Sequence, residues 1–212
     1  MLREDIDLFL KEIPNDVLVV AATKYVTSKE MLELYNHNIK DYGENRVDSF
    51  LKKYDELKDY KDIKWHFIGH LQRNKCKDII NKIDYLHSLD SLKLADIIEK
   101  EREKPLDTFI EVSINLEETK NGVRYEDIYD FVKELLNYKK INIVGFMMMA
   151  IKNDSDTNIE NQFLKLKKLK EDVEKKFNIK IPYLSMGMSN DYKEAIKAGA
   201  THIRLGRILW NL

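Results

Sequence analysis

The sequence is poor in the residues that build covalent cross-links and membrane spans, and each shortage excludes a class of protein. Its single cysteine, Cys76, permits no intramolecular disulfide bond and no cysteine-based metal site. No apolar run approaches the roughly 20 residues that cross a bilayer. The 36 basic residues nearly match the 37 acidic ones, so the chain has no general attraction to nucleic acids or anionic membranes. We therefore expect a cytoplasmic protein with neither kind of partner.

Glycine and proline are also scarce, with seven and three residues respectively. A linker between two domains is commonly rich in glycine, proline or serine, and no such stretch interrupts this chain. At 212 residues the chain is long enough to bury a substantial core. We therefore expect residues 1–212 to form one domain. Separately, we expect a monomer.

Short apolar segments alternate with amphipathic helical patterns along the chain. This alternation predicts parallel strands joined by helices, and eight such units favour a closed (β/α)₈ barrel preceded by one extra helix. An open, doubly wound sheet is the alternative. Ser28 is the expected cap of the helix that follows the first strand. The predicted strands are 17–25, 39–43, 65–69, 85–89, 106–114, 141–149, 183–185 and 201–204.

The first of these strands ends in a lysine. Residues 17–25, VLVVAATKY, form a continuous apolar run up to Lys24, which is typical of a strand buried on both faces. Reactive side chains in α/β folds lie at the carboxyl ends of such strands. A semi-buried lysine there can attack an aldehyde and form a Schiff base. The alternative is a lysine that merely extends from the sheet edge into water.

Two glycine-containing loops follow the last two predicted strands. The SMGMSND segment contributes Ser185, Gly187, Met188 and Ser189, and IRLGR contributes Gly206. In a barrel, these loops commonly bind phosphate through backbone N–H groups and the start of a helix. Either loop alone could be an ordinary turn with a helix cap. Two consecutive loops together with a strand-end lysine predict a phosphorylated aldehyde as ligand.

Three further residues fall where a ligand ring would lie. Arg204 ends the last strand and could donate a hydrogen bond to a ring nitrogen without readily protonating it, or it could bind a strand-end carboxylate or carbonyl. Asn45 could bind a ligand oxygen or cap its helix. Met147 could pack against a flat ring, although methionines more often fill a core.

Two histidines in WHFIGHLQ are candidates for a metal site. His66 and His70 are four residues apart, but a strand separates them, so they do not share a helix face as a metal-binding pair would. We interpret both as structural or rim groups and expect no metal. Cys76 lies in a helical stretch and is interpreted as a packed structural thiol.

Six segments of the chain carry specific motifs: VAATK, YGENRVDSFLKK, WHFIGHLQRNK, HSLDS, GFMMMA and YLSMGMSNDYKEAIKAGATHIRLG. Together they resemble the YggS/PROSC family of pyridoxal phosphate homeostasis proteins over nearly the whole chain. The resemblance implies a single (β/α)₈ barrel like the alanine racemase N-terminal domain. It also implies pyridoxal 5′-phosphate (PLP) as the cofactor.

The resemblance assigns roles to several of the candidate residues. It makes Lys24 the lysine that holds PLP covalently as a Schiff base. It places Asn45 and Arg204 beside the pyridine ring, with Arg204 near the ring nitrogen. The phosphate cradle that it implies consists of Ser189, Gly206 and Arg207.

The chain departs from the family pattern at two of these places. Where the family commonly reads KTKP, this sequence has Lys24 followed by Tyr25, Val26 and Thr27. Where the last loop usually reads glycine and threonine, it has Gly206 and Arg207, so a hydroxyl is lost and a cation is gained. Either the Arg207 guanidinium pairs with the phosphate, or its backbone N–H alone serves.

The resemblance implies a carrier that binds PLP reversibly for vitamin B6 homeostasis and passes it to apo-enzymes, without classical turnover. Alanine racemases use a second domain to reach the other face of the cofactor, and we expect none here, so no catalytic residue is assigned. The alternative is a single-domain amino-acid racemase with Lys24 on one face and Tyr25, His66 or solvent on the other. A third possibility is an interaction module with the barrel as scaffold.

Overall fold

The structure, a computed structural model, describes residues 2–114, 121–151 and 154–211. These residues contain nine strands and eight α-helices that alternate along most of the chain. The strands are β1 Leu18–Ala22, β2 Asp41–Glu44, β3 Lys64–Phe67, β4 Tyr85–Leu89, β5 Leu106–Ser113, β6 Val123–Arg124, β7 Ile141–Met147, β8 Tyr183–Met188 and β9 His202–Leu205. The helices are α1 Ile6–Lys11, α2 Ser28–Tyr35, α3 Val47–Glu56, α4 Cys76–Ile79, α5 Leu92–Glu101, α6 Ile128–Leu135, α7 Asp156–Phe177 and α8 Tyr192–Lys197.

Eight of the strands close into a parallel barrel. The order around it is β4-β3-β2-β1-β9-β8-β7-β5, and pairing of β4 with β5 closes the ring. The (β/α)₈ barrel preceded by α1 is therefore confirmed, and the open sheet is wrong. Because all eight strands are parallel, their carboxyl ends meet at one face, where a barrel carries its ligand site.

The remaining strand, β6, lies outside the barrel. β6 pairs only with the end of β5, with Val112 opposite Val123. The sequence pattern predicts a polar loop over residues 115–124, of which 115–120 lie outside the described residues. The prediction of a loop is wrong for Val123 and Arg124, which form a short strand paired in parallel with the end of β5.

The cap of α2 also differs from the prediction. Thr27, not Ser28, is the N-cap, since its hydroxyl accepts a hydrogen bond from the N–H of Glu30 while the Glu30 carboxylate accepts one from the N–H of Thr27. This reciprocal pair satisfies two N–H groups that a helix start leaves unpaired. The Ser28 hydroxyl instead donates to Glu56 on α3.

The core has two parts. A large apolar layer lies between the outside of the barrel and the helices, and a smaller group that includes Phe109, Val144 and Met147 fills the barrel interior. Cys76 is fully buried in the outer layer, as predicted, and burial raises the pKa of its thiol to about 12. No helix of the described chain combines the length and apolar character needed to span a bilayer.

Candidate functional site

A cleft of about 450 Å³ opens at the carboxyl ends of β1, β8 and β9. This volume is in the range of small-molecule binding sites. Six of the residues singled out from the sequence line it: Lys24, Met188, Ser189, Arg204, Gly206 and Arg207. The other lining residues are Ala22, Tyr25, Ala150, Ile151, Ile159, Asn190 and Asp191.

Lys24 lies in a turn two residues beyond the end of β1. Thr23, the first residue after β1, is fully buried, and its hydroxyl donates to the Glu44 carboxylate at 2.6 Å. Lys24 is exposed, with its Nζ 4.8 Å from the centre of the Tyr25 ring. The expectation of a semi-buried lysine is therefore wrong, because the strand ends earlier than the apolar run does.

A buried ion pair holds the backbone just before Lys24. Lys53, on α3, is paired with Glu44 at the end of β2. Its ammonium also donates to the carbonyl oxygen of Thr23 at 2.5 Å. The peptide that leads into Lys24 is thus fixed to both α3 and β2. No sequence pattern distinguishes Lys53 from the other lysines of its amphipathic helix.

Arg204 is almost completely buried, with 5 % of its surface exposed. One guanidinium nitrogen donates to the Ser185 hydroxyl at 2.7 Å, and the other donates to the Met148 carbonyl at 3.0 Å. Burial lowers the pKa of Arg204 to about 10, although Asp191 and Glu111 favour its charged form. Arg204 thus binds a backbone carbonyl, as one of the two interpretations predicts, and it also lines the cleft. Its contact with a ring nitrogen stays a prediction.

The two predicted phosphate loops meet at Ser189. Its hydroxyl accepts hydrogen bonds from the N–H of Gly206 at 3.3 Å and from the N–H of Ile208 at 3.5 Å. Arg207 begins a single 3₁₀ turn and is exposed at the rim. The SMGMSND and IRLGR loops are therefore adjacent, and they bring two backbone N–H groups, a hydroxyl and a cation to one edge of the cleft.

Four predicted site residues are not part of the cleft lining: Asn45, Met147, Ser185 and Gly187. Ser185 is fully buried, and its hydroxyl is engaged by Arg204 and His87, so it does not face a phosphate as expected. Gly187 has φ +89°, and a Cβ there would come within 2.5 Å of Ala195 Cβ, which explains the glycine by backbone geometry. Met147 packs inside the barrel against Phe109, which is the core role.

Asn45 does not cap α3, whose N-cap is Arg46. Its side-chain Oδ1 is buried and finds no hydrogen-bond partner among the described residues. A buried acceptor without a partner is uncommon and calls for a physical explanation. Asn45 follows β2, next to the strand that leads to Lys24, but it is not among the residues that line the cleft.

Two carboxyl groups that the sequence does not single out lie near Arg204. Asp191 lines the cleft and accepts a hydrogen bond from the Met188 N–H at 2.5 Å, and burial raises its pKa. Glu111, at the end of β5, is 4 % exposed, and burial, assisted by Asp90, raises its pKa to about 7. The only signal for Glu111 was an acidic residue within the apolar run FIEVSI.

His66 does not flank β3 but lies within it, fully buried inside the barrel. Of the two interpretations, a structural group or a rim group, His66 is therefore the structural one. His70 is on the rim, where its Nδ1 lies 3.1 Å from the Asp90 carboxylate. Among the described residues, no group of three or more histidine, cysteine or acidic side chains is arranged to hold a metal ion.

Comparison with known proteins first defines the class. A family model described as alanine racemase, N-terminal domain, matches residues 15–212. The alanine racemase of Corynebacterium glutamicum superposes with a TM-score of 0.79 at 13% identity, over 98% of this chain and 60% of the racemase. The chain is thus a barrel of the alanine racemase N-terminal type.

Similar proteins then define the family. A protein of Aquifex aeolicus named pyridoxal phosphate homeostasis protein is 40% identical over 199 residues, which is 92% of this chain and 87% of that protein. A Synechocystis protein of the same name is 35% identical over 93% of this chain and 92% of its own length. The structure of PipY from Synechococcus elongatus with PLP bound has a TM-score of 0.91 at 27% identity, covering 97% of this chain and 98% of PipY. The chain belongs to the pyridoxal phosphate homeostasis protein family, which confirms the resemblance of its motifs.

Proposed function

We propose that this protein binds PLP reversibly in the cleft, as a Schiff base on Lys24, and serves intracellular PLP homeostasis without catalytic turnover. The observation that carries the proposal is the single cleft that gathers Lys24, the guanidinium of Arg204 and the Ser189–Gly206 contact. The relative PipY, whose structure holds PLP, shares this fold. The Oδ1 of Asn45, which has no hydrogen-bond partner among the described residues, would supply a further acceptor.

Lys24 provides the attachment chemistry. Its amine would hold PLP covalently through the aldehyde carbon, with the aldehyde oxygen released as water. Exposure of Lys24 keeps this step open to solvent in both directions, which suits reversible loading. Ser189, Gly206 and Arg207 would hold the phosphate.

Arg204 would face the ring nitrogen. The guanidinium has five N–H donors, and the contacts with Ser185 and Met148 use two of them, so others remain for the cleft. With a pKa of about 10, Arg204 stays charged at neutral pH and donates a hydrogen bond without giving up its proton. PLP held this way is a weaker electron sink than PLP protonated by an acid, which favours storage over carbanion chemistry.

Exposure of the cleft also supports storage. Tyr25, beside Lys24, is 66% exposed, so water reaches the reactive amine. Enzymes that stabilise reactive intermediates exclude water from them. The curated relatives carry the name homeostasis protein.

A single-domain racemase is the second candidate. Tyr25 favours it, because its ring lies 4.8 Å from the Lys24 ammonium in the same cleft and could supply a second proton-transfer group. His66, the other side chain considered for this role, cannot supply the proton-transfer group. It is fully buried inside the barrel and does not line the cleft.

One experiment tests attachment. Purified protein is incubated with PLP, its visible absorbance is recorded, and borohydride reduction is followed by peptide mapping. We expect the label on Lys24, none in Lys24→Ala, and unchanged labelling in Lys29→Ala, an exposed control lysine on α2. Protein that takes up no PLP would overturn the proposal and its racemase alternative.

A second experiment separates carrier from enzyme. Loss of α-deuterium from labelled amino acids is measured with the PLP-loaded protein, together with transfer of PLP to an apo-enzyme that depends on it. We expect transfer without deuterium loss. Deuterium loss at enzymic rates that Lys24→Ala and Tyr25→Phe abolish would establish the racemase instead.

A further inference from the structure

A chain of four hydrogen bonds crosses the barrel interior and ends at Arg204. From the cleft inwards, Arg204 Nη1 lies 2.7 Å from Ser185 Oγ, and Ser185 Oγ lies 2.8 Å from His87 Nδ1. His87 Nε2 is 2.9 Å from His66 Nδ1, and His66 Nε2 is 2.9 Å from the Asp41 carboxylate. Asp41 is the first residue of β2, so the chain runs from the carboxyl face of the barrel to its amino face.

The donor in each bond follows by elimination. Arg204 can only donate, so Ser185 Oγ accepts from it. Among the described residues, His87 Nδ1 is the one acceptor within hydrogen-bond distance of the buried Ser185 hydroxyl, so the hydroxyl proton is donated there. Burial lowers the pKa of His87 well below its usual value, so the ring is neutral and its single proton is on Nε2. That proton is donated to His66 Nδ1, which leaves the His66 proton on Nε2, donated to Asp41. In each of the four hydrogen bonds, the donor is therefore the group nearer Arg204 and the acceptor is the group nearer Asp41.

The surroundings of the chain fix it in place. His66, His87 and Ser185 are fully buried. The His66 ring stacks on Tyr85 with centroids 4.5 Å apart, and the His87 ring stacks on Phe109 at 4.2 Å. Neither ring can turn to exchange its nitrogens without breaking this packing. The third buried histidine of the interior, His202, is not part of the chain, since its Nδ1 pairs with the Thr201 hydroxyl.

We propose that Ser185, His87, His66 and Asp41 are positioning residues that orient the Arg204 guanidinium and link it to a carboxylate at the opposite face of the barrel. Aligned hydrogen bonds in a low-dielectric interior polarise one another, so a change at Asp41 is felt at Ser185. The Ser185 contact and the Met148 carbonyl together fix the plane of the guanidinium, and hence the direction of the N–H groups left for the cleft. The inference rests on the proposed function only in taking the cleft ligand to be PLP.

The test begins with protein free of PLP. Nitrogen-15 NMR distinguishes the protonated from the unprotonated nitrogen of each imidazole ring. We expect a single tautomer for both His66 and His87, protonated on Nε2. A proton on Nδ1 of His87 would overturn the direction of the chain, whatever the protein binds.

The distant end of the chain is then changed. In Asp41→Asn the side-chain amide can donate as well as accept, so we expect the single-tautomer signals of His66 and His87 to be lost, and Asp41→Glu to retain them. Asp107→Asn is the matched control. Asp107 also lies near the start of a strand, but its carboxylate accepts a hydrogen bond from Asn142 and takes no part in the series of hydrogen bonds that ends at Arg204. Unchanged tautomers in Asp41→Asn would overturn the link.

PLP provides the second readout. In the loaded protein we expect Asp41→Asn, but not Asp107→Asn, to shift the visible absorbance band, because the hydrogen bond from Arg204 to the ring changes. A shift of equal size in both variants would overturn the positioning role. If no variant binds PLP at all, the proposed function fails while the tautomer result still stands.

Discussion

The ammonium of Lys53 is paired with the carboxylate of Glu44, and both are buried beside the turn that carries Lys24. Removing one partner leaves the other charge uncompensated in the interior. We expect Lys53→Met to lower the free energy of unfolding by about 3–5 kcal/mol, and Lys53→Met with Glu44→Gln to lower it by less. Urea unfolding of both variants measures this. Equal losses in both would show that packing, not charge, dominates at this site.

Asn45 Oδ1 has no hydrogen-bond partner among the described residues. Replacing Asn45 should therefore change the stability of the PLP-free protein little but weaken PLP binding. In PLP-free protein, Asn45→Ala removes a buried acceptor that forms no bond, so the free energy of unfolding should change by less than about 1 kcal/mol. If PLP supplies the missing donor, its affinity should fall by about 1–3 kcal/mol, or roughly 5- to 150-fold. Titration calorimetry and urea unfolding check the pair. A strongly destabilised variant with unchanged PLP affinity would make Asn45 structural.

The raised pKa of Glu111 implies that the stability of the protein depends on pH. Burial raises its pKa from 4.5 to about 7 in the folded protein, so the folded state holds a proton that the unfolded state releases between these values. The contribution of Glu111 to stability therefore falls as pH rises from about 4.5 to about 7, by roughly 3 kcal/mol in total. The neutral variant Glu111→Gln should match the wild type near pH 4.5 and be more stable near pH 8. Unfolding free energies at both pH values test this, and a constant difference between the two proteins would contradict it.

The architecture could be read from the sequence because strand and helix patterns are local. The run VLVVAATKY and the glycine loops after the last two strands depend on neighbouring residues, and parallel topology then brings them together. Lys24, Ser189 and Gly206 accordingly line one cleft as expected. That part of the site required only the order of the elements and the direction of the strands.

The positions that the sequence could not predict depend on strand length and on contacts between distant residues. The predicted strand ended at Ser185, whereas β8 continues to Met188, which moves the Ser185 hydroxyl from the loop into the barrel. The ion pair of Lys53 and Glu44 and the hydrogen bond between His66 and His87 join different elements. No periodic pattern reveals such pairs, because each member alone is typical of its helix or strand.

Arg207, which replaces the usual threonine of the last loop, offers a test of how the phosphate is held. Its side chain is exposed at the rim of the cleft, where a single ion pair is worth about 0.2–1 kcal/mol. If the guanidinium contacts the phosphate, Arg207→Ala should weaken PLP binding by about 1.4- to fivefold and reduce its salt dependence. Binding of pyridoxal, which lacks the phosphate, should not change. Lys193→Ala, which removes an exposed cation of α8 outside the cleft lining, is the control. Equal PLP affinity in all three proteins would assign the contact to the backbone N–H of the loop, since the substitution leaves that group in place.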